Sequence, residues 1–96
     1  MDITFAQKIR ELRNKKEWSV YQLAEAINKT PGYVSKIEAR GEIPSPEMIV
    51  KLAEAFGTSA EELAEIAKAE KSAELVKNVT KKYDDAVVLY RKSRKK

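Results

Sequence analysis

The side chains of this chain that could act chemically are cations and hydroxyls, and several gather between residues 29 and 40. They are Lys29, Thr30, Ser35, Lys36 and Arg40, and Glu38 is the one acid from residue 28 to residue 41. Ammonium, guanidinium and hydroxyl groups donate hydrogen bonds to anionic oxygens. Histidine and cysteine are absent, which excludes disulfides, thiolate and imidazole zinc sites, Ser–His and Cys–His nucleophile pairs and the usual near-neutral base. Residues 28–41 are therefore locally basic, and the sequence lacks the residue types of the commonest catalytic sites.

Length and charge limit what can position these groups. Ninety-six residues, 43% hydrophobic and 35% charged, suit one globular domain with at most an appended element. The net charge of +4 is uneven, with −1 over residues 1–71 and +5 over residues 72–96. Five of the last six residues are cations, which is typical of either a frayed tail or an arm that touches phosphates.

No membrane or export segment is predicted. No apolar run approaches the roughly 18 residues that a membrane span requires, and the first residues do not begin a signal peptide. We therefore expect an intracellular, cytoplasmic protein without a membrane partner.

Serine and threonine mark five helix starts. Capping boxes begin at Thr4, Ser19 and Ser59, and the pairs Thr30-Pro31 and Ser45-Pro46 place a hydroxyl before a proline at the first helical position. Apolar residues recur at helical spacing after each start, and no segment alternates long enough to be a strand. The predicted core is Phe5, Ile9, Leu12, Leu23, Ala24, Ile27, Val34, Ile37, Ile49, Leu52, Ala53, Phe56, Leu63, Ile66 and Ala67, with Trp18 as a plug. The sequence predicts a compact all-α bundle with short loops.

The second and third predicted helices, 20–27 and 31–39, are joined by only three residues, Asn28, Lys29 and Thr30. A joint this short forces a sharp crossing, as in the helix-turn-helix motif, whose second helix enters a DNA major groove. An ordinary αα corner inside a bundle fits the spacing equally well.

Four runs of residues carry a resemblance to a known family. They are Trp18-Ser19-Val20-Tyr21-Gln22-Leu23-Ala24-Glu25-Ala26-Ile27, Thr30-Pro31-Gly32-Tyr33-Val34-Ser35-Lys36-Ile37-Glu38, Pro44-Ser45-Pro46-Glu47 and Lys51-Leu52-Ala53-Glu54-Ala55-Phe56-Gly57. Together they resemble the phage Cro/repressor-type helix-turn-helix family, or XRE family, over about residues 5–66. The resemblance implies a five-helix, lambda-repressor-like domain, which we place over residues 1–71. The resemblance fades after Ile66, and the appended C-terminal amphipathic helix over residues 72–96 is predicted from its own apolar spacing.

The resemblance also implies roles for individual residues. Glu38 resembles the family glutamate that bonds an arginine of the first helix, here Arg13, as a structural ion pair. Lys36 matches a position used for base reading, where a lysine can donate to guanine O6 and N7. The residues expected to contact DNA are Ser19, Tyr21, Lys29, Thr30, Pro31, Gly32, Tyr33, Ser35, Lys36 and Arg40.

Two departures from the family pattern narrow the expected base readout. Pro31 and Gly32 stand where the family often has long polar side chains, and Val20 stands near a family glutamine that contacts phosphate. We expect specificity to depend on Lys36, Tyr33 and DNA shape. Exposed amides at the starts of helices two and three, with Ser19 and Thr30, are expected to bind phosphates.

The last segment carries an apolar stripe. Val76, Val79, Tyr83, Ala86 and Tyr90 are spaced 3, 4, 3 and 4 apart, which predicts an amphipathic helix. It either continues the fifth helix or restarts near Ser72. The stripe packs on its own core or forms a homodimer, and the dimer is the prediction because paired recognition helices read successive major grooves.

The leading functional hypothesis is a sequence-specific DNA-binding transcriptional regulator, a repressor of phage or bacterial type that occupies an operator as a homodimer. It requires double-stranded DNA and no cofactor. The alternative is a protein-interaction module of the antitoxin or bridging-coactivator type, with secondary DNA binding. Enzyme activity is not expected, because the acidic residues Glu61, Glu62, Glu65 and Glu70 are typical of a solvated helix face.

Overall fold

A computed structural model describes residues 3–73, and these residues contain five helices and no strand. The helices are α1 (Phe5–Lys15), α2 (Val20–Ala26), α3 (Pro31–Arg40), α4 (Pro46–Phe56) and α5, which occupies residues 60–73 of the part described. The predicted all-α architecture is confirmed. The stripe residues Val76, Val79, Tyr83, Ala86 and Tyr90 lie outside the described residues.

Each helix begins where the capping hydroxyls predicted. Both the Thr4 and Ser19 boxes are complete: each hydroxyl accepts from the N3 amide, and the N3 glutamine side chain accepts from the cap amide. Ser59 Oγ accepts from the Glu62 amide at 3.2 Å. The carboxylate of Glu62 instead lies 3.2 Å from Lys8 Nζ. The third predicted box is therefore only half formed, because an ion pair to α1 takes its acidic member.

The ends of the helices differ slightly from the prediction. Helix α2 stops at Ala26, one residue early, and α3 continues one residue further to Arg40. Gly41 and Gly57 cap α3 and α4 with φ of 71° and 70°. This left-handed conformation costs an L-residue with a side chain about 1–2 kcal/mol. Helix α5 passes through Lys71 and Ser72 without interruption, so no restart occurs before residue 73.

One hydrophobic core joins all five helices. Its buried members are Phe5, Ile9, Leu23, Ala24, Ile27, Val34, Ile37, Met48, Ile49, Leu52, Ala53, Phe56, Leu63 and Ala67. All but Met48 were predicted, while the predicted Leu12 and Ile66 are only partly buried at the edge. Trp18 packs beside Phe56 with ring centroids 5.9 Å apart. Burying one such large apolar side chain contributes roughly 1.5–3 kcal/mol. Helix α3 packs against both α1 and α2.

Within residues 3–73, no helix is both long enough and apolar enough to cross a membrane.

Candidate nucleic-acid interface

The joint between α2 and α3 is closed by backbone hydrogen bonds. Asn28 has a φ of 56°, in the left-handed region that asparagine tolerates better than most residues. Its amide donates to Glu25 O at 3.1 Å, and the Lys29 amide donates to Ala24 O at 2.8 Å. These bonds satisfy two of the last carbonyls of α2, and the chain turns within a few residues. The start of α3 is therefore fixed relative to the end of α2.

Helix α3 divides into an inner and an outer face. Val34 and Ile37 are at most 2% exposed, and they anchor the helix in the core. The outer positions Gly32, Ser35, Lys36 and Arg40 are exposed, while Pro31 and Tyr33 are half-buried. Because Gly32, Ser35 and Lys36 are three and four residues apart, they share one face of the helix. This exposed face, with Lys29 and Arg40 at its two ends, is called the α3 face below.

The acid within α3 is turned away from the α3 face. The Glu38 side chain is only 4% exposed, and Arg13 Nε lies 2.8 Å from its Oε2. Arg13 Nη2 donates to Oε1 at 3.0 Å, so the guanidinium and the carboxylate form a two-pronged pair. This hydrogen bonding to Glu38 raises the pKa of Arg13, with the charge attraction adding to it against the opposing effect of burial. The pair neutralises the carboxylate and ties α1 to α3.

A second arginine joins this pair, and it was not predicted from the sequence. Arg10 Nε lies 3.4 Å from Glu38 Oε1, and Arg10 Nη2 donates to the Glu38 carbonyl at 3.3 Å. Its position three residues before Arg13 was the available signal, since residues at i and i+3 share a helix face. Arg13 Nη1 also donates to Trp18 O at 2.8 Å. Two cations of α1 thus surround one buried carboxylate of α3.

Tyr33 lies at the edge of the α3 face. Its ring is half-buried against the core, and Lys29 Nζ lies 5.3 Å from the ring centroid. Burial raises the pKa of the Tyr33 phenol, and the negative charge of Glu42 raises it further. Glu42 follows α3, and its amide donates to Lys36 O at 3.1 Å. The Tyr33 phenol therefore stays protonated and can donate a hydrogen bond at neutral pH.

A few backbone amides remain free at the starts of α2 and α3. Thr30 Oγ1 accepts from the Tyr33 amide at 3.2 Å, and Pro31 has no amide hydrogen, which leaves Gly32 as the donor of the first turn of α3. At α2, Ser19 Oγ accepts from the Gln22 amide at 3.1 Å, and the amides of Val20 and Tyr21 remain. Both capping hydroxyls act as acceptors in these bonds, so their own hydrogens are left to donate outward.

Nine of the ten residues expected to contact DNA lie in α2, α3 or the joint between them, and the tenth, Ser19, is the N-cap of α2. Tyr21 is 73% exposed near the start of α2. Ser19, Lys29 and Thr30 are also exposed. Among residues 3–73, no group of histidine, cysteine and acidic side chains is arranged to hold a metal ion. The described structure thus presents cations, hydroxyls and free amides on one helix pair.

The fold resembles those of solved bacterial regulators. A chain of the SinR protein–SinI protein complex has 25% sequence identity and a TM-score of 0.59, covering 96% of this chain and 98% of that one. A structure of the clp gene regulator ClgR from Corynebacterium glutamicum has 27% identity and a TM-score of 0.57, covering 69% and 86%. A second ClgR structure, at 22% identity and a TM-score of 0.58 over 96% and 92%, supports the fold alone.

No curated protein matches the sequence. The helix-turn-helix family model matches residues 9–63, which is more than half of the chain. The matched range contains α2, the joint and the α3 face. The chain belongs to the helix-turn-helix family, in its XRE-type branch of DNA-binding transcriptional regulators.

Proposed function

We propose that this protein is a sequence-specific transcriptional repressor that binds operator DNA as a homodimer, with α3 in the major groove. One observation carries the proposal. The α3 face holds exposed Lys36 and Arg40, while the acid of the same helix, Glu38, is buried and paired with Arg13. The domain has a net negative charge over residues 1–71, yet this helix presents cations outward.

Charge on the α3 face favours DNA backbone binding. Lys29, Lys36 and Arg40 are exposed, so their charges are available to phosphates. Each phosphate neutralised by such a cation releases a counterion, which makes affinity fall as salt concentration rises. Binding by this face is therefore expected to weaken steeply with salt.

Lys36 is assigned the main base contact. It lies in the middle of α3, one turn after Gly32, and its ammonium group can donate to guanine O6 and N7. Ser35 next to it can donate to a base edge or a phosphate. Pro31 and Gly32 add no side-chain donor at the tip of α3. The side chains of α3 therefore contact few bases, and local DNA shape supplies part of the preference for one DNA sequence over another.

Phosphates on either side of the groove are assigned to the helix starts. The outward hydrogens of Ser19 and Thr30 and the remaining amides of Val20, Tyr21 and Gly32 can donate to phosphate oxygens. Such contacts fix the position of the protein on the duplex without reading its sequence.

A dimer would account for operator recognition and for repression. Two α3 helices about 34 Å apart contact successive major grooves on one side of the duplex. A dimer seated there blocks other proteins from the same DNA, and repression needs no catalytic step. The stripe residues Val76, Val79, Tyr83, Ala86 and Tyr90 are assigned to this dimerisation from their spacing in the sequence.

The test is a binding assay on selected DNA sites, titrated with salt. Lys36→Ala should reduce the preference for the selected site by about 1–3 kcal/mol. Arg40→Ala should weaken binding to all sequences and flatten the slope of log affinity against log salt by about 1. Lys51→Ala is the matched control, because Lys51 is an exposed lysine of α4. Equal binding by wild type and both α3 variants would rule out this face.

A protein-interaction module is the second candidate, and two observations favour it. The tip of α3 has no side-chain donor at Pro31 or Gly32. One matched structure is a complex between two proteins, SinR and SinI. An interaction module of this kind would hold a protein partner at about 1 M salt, where charge attraction is screened within a few ångströms, and would prefer no DNA sequence.

A further inference from the structure

An apolar groove of about 540 Å³ lies between α4 and α5. One wall consists of Ile43 and Pro44 before α4 and of Ile49 and Val50 within it, and α5 contributes Ala64 and Ala67. Val50 is 46% exposed, which is unusual for a large aliphatic side chain. The groove lies on α4 and α5, so its residues are separate from those of the α3 face.

The groove borders the described core, because Ile49 and Ala67 belong to the core and also line the groove. On α5, Leu63 and Ala67 are buried in the core, whereas Ala64 is exposed and lines the groove. On α4, Ile49 is buried and the adjacent Val50 is exposed. Within residues 3–73, these two helices therefore extend the apolar surface from the core outward to exposed Ala64 and Val50.

The rest of the chain supplies an apolar segment of suitable length. The groove follows α5 from Ala60 to Ser72, about 18 Å at 1.5 Å per residue. The stripe from Val76 to Tyr90, which lies outside the described residues, would span about 21 Å as a helix. The groove thus ends within four residues of the point in the chain where the stripe begins.

A chain cannot easily place this stripe in its own groove. The chain would have to reverse between Ala73 and Val76, and the sequence contains no glycine or proline after Gly57. A later reversal, near Asn78, would interrupt the 3, 4, 3, 4 spacing that predicts one continuous helix. Placement in the groove of the same copy would therefore need a reversal within Glu74 and Leu75, which placement in a second copy does not need.

We propose that the groove between α4 and α5 binds residues 76–90 of a second copy of this chain. The inference rests on the homodimer of the proposed function and names its docking surface. Each copy gives its stripe and receives the stripe of the other, so a two-fold axis makes the two contacts equivalent. Both surfaces carry both signs of charge, because Glu61, Lys68 and Lys71 line the groove and residues 76–90 contain Asp84 and Asp85 beside three lysines. Asp84 and Asp85 are assigned to Lys68 and Lys71.

The test is the mass of the full chain at tens of micromolar by sedimentation equilibrium. Wild type should have twice the chain mass of 10.9 kDa. Ala64→Glu blocks the groove and Tyr83→Glu blocks the stripe, so each should halve the mass. Mixing these two variants should restore association, because the Tyr83→Glu copy keeps its groove and the Ala64→Glu copy keeps its stripe.

Two controls make the result interpretable. Ala69→Glu places the same charge on an exposed site of α5 that does not line the groove, and it should leave the mass unchanged. Helical circular dichroism of every variant should match that of the wild type.

A second test is charge reversal. Lys68→Glu with Lys71→Glu should weaken the dimer, and adding Asp84→Lys with Asp85→Lys should restore it.

Three results would overturn the proposal. A monomeric wild type would remove the dimer itself. An Ala64→Glu variant that stays dimeric while Tyr83→Glu is monomeric would show that the stripes pair with each other. A mixture that stays monomeric would show that groove and stripe do not meet. Because the mass is measured without DNA, failure of the α3 face in the binding assay would leave these outcomes unaffected.

Discussion

Replacing Glu38 by glutamine tests whether the buried carboxylate holds α3 to α1. Glu38→Gln keeps the size of the side chain and removes its charge. The variant leaves Arg13, whose side chain is 15% exposed, without its counter-ion, and puts an amide NH₂ group where an oxygen now accepts from a guanidinium. Two donors would then face each other in a partly buried site.

The distances between Arg13 and Glu38 indicate how much the free energy of unfolding should fall. Arg13 Nε and Nη2 lie 2.8 and 3.0 Å from the two carboxylate oxygens, and hydrogen bonds to charged groups contribute about 1.5–3 kcal/mol each. Glutamine keeps one acceptor, and Arg10 and Arg13 remain partly hydrated. We expect the free energy of unfolding to fall by about 3 kcal/mol, the lower end of the range for breaking a buried pair. The melting temperature should fall by roughly 12 °C or more.

Urea unfolding followed by fluorescence of Trp18, the only tryptophan, measures this loss. Trp18 is a suitable probe because its carbonyl accepts from Arg13 Nη1 at 2.8 Å. Glu11→Gln is the matched control. The Glu11 side chain is 45% exposed and lies 3.8 Å from Lys15 Nζ, so its loss should cost less than about 1 kcal/mol.

The assigned role of the pair would be refuted if Glu38→Gln lowered the free energy of unfolding by less than about 1 kcal/mol, or by no more than Glu11→Gln does. An Arg13→Gln/Glu38→Gln double variant gives a second check. If the groups act on each other, its cost should be well below the sum of the two single costs.

Two further predictions concern the α3 face. Thr30→Ala removes the hydroxyl that accepts from the Tyr33 amide at 3.2 Å. Urea titration should show a loss of about 1 kcal/mol in the free energy of unfolding. Ser35→Ala, on the exposed side of α3, is the control and should cost less. Tyr33 should titrate above the ordinary tyrosine value of 10.0 in ultraviolet absorbance, because burial and Glu42 both disfavour its anion. The raised pKa favours the protonated native state, so this contribution to stability is complete below pH 10 and is lost as the pH rises through the native pKa. Normal titration of Tyr33 would contradict its placement against the core.

Helix starts were predictable because the relevant interactions are local. Ser19 and Thr30 bond amides only three residues away, so their sequence neighbours determine the outcome. The core was predictable for a related reason, since Leu23 and Leu52 follow the 3.6-residue period. Met48 was missed because the predicted stripe began at Ile49, although Met48 lies four residues before Leu52 and so shares its face of α4.

Contacts between distant helices were harder to predict. Lys8 takes the carboxylate of Glu62 from its capping box, and Arg10 joins Glu38 from 28 residues away. These pairings depend on how the packed helices bring side chains together, and sequence spacing does not encode that distance. The family resemblance supplied the pairing of Arg13 with Glu38, which spacing alone would not have selected.

Because α5 is continuous from residue 60 to residue 73, its number of residues determines both its length and the direction in which its end points. A helix advances by 1.5 Å and rotates by about 100° with each residue. One alanine inserted between Lys71 and Ser72 would therefore rotate whatever follows by more than a quarter turn about the helix axis. In the proposed dimer, the insertion would change the distance and the relative rotation between the two helix-turn-helix domains. The spacing of the two operator halves that a variant recognises would therefore depend on the number of residues inserted.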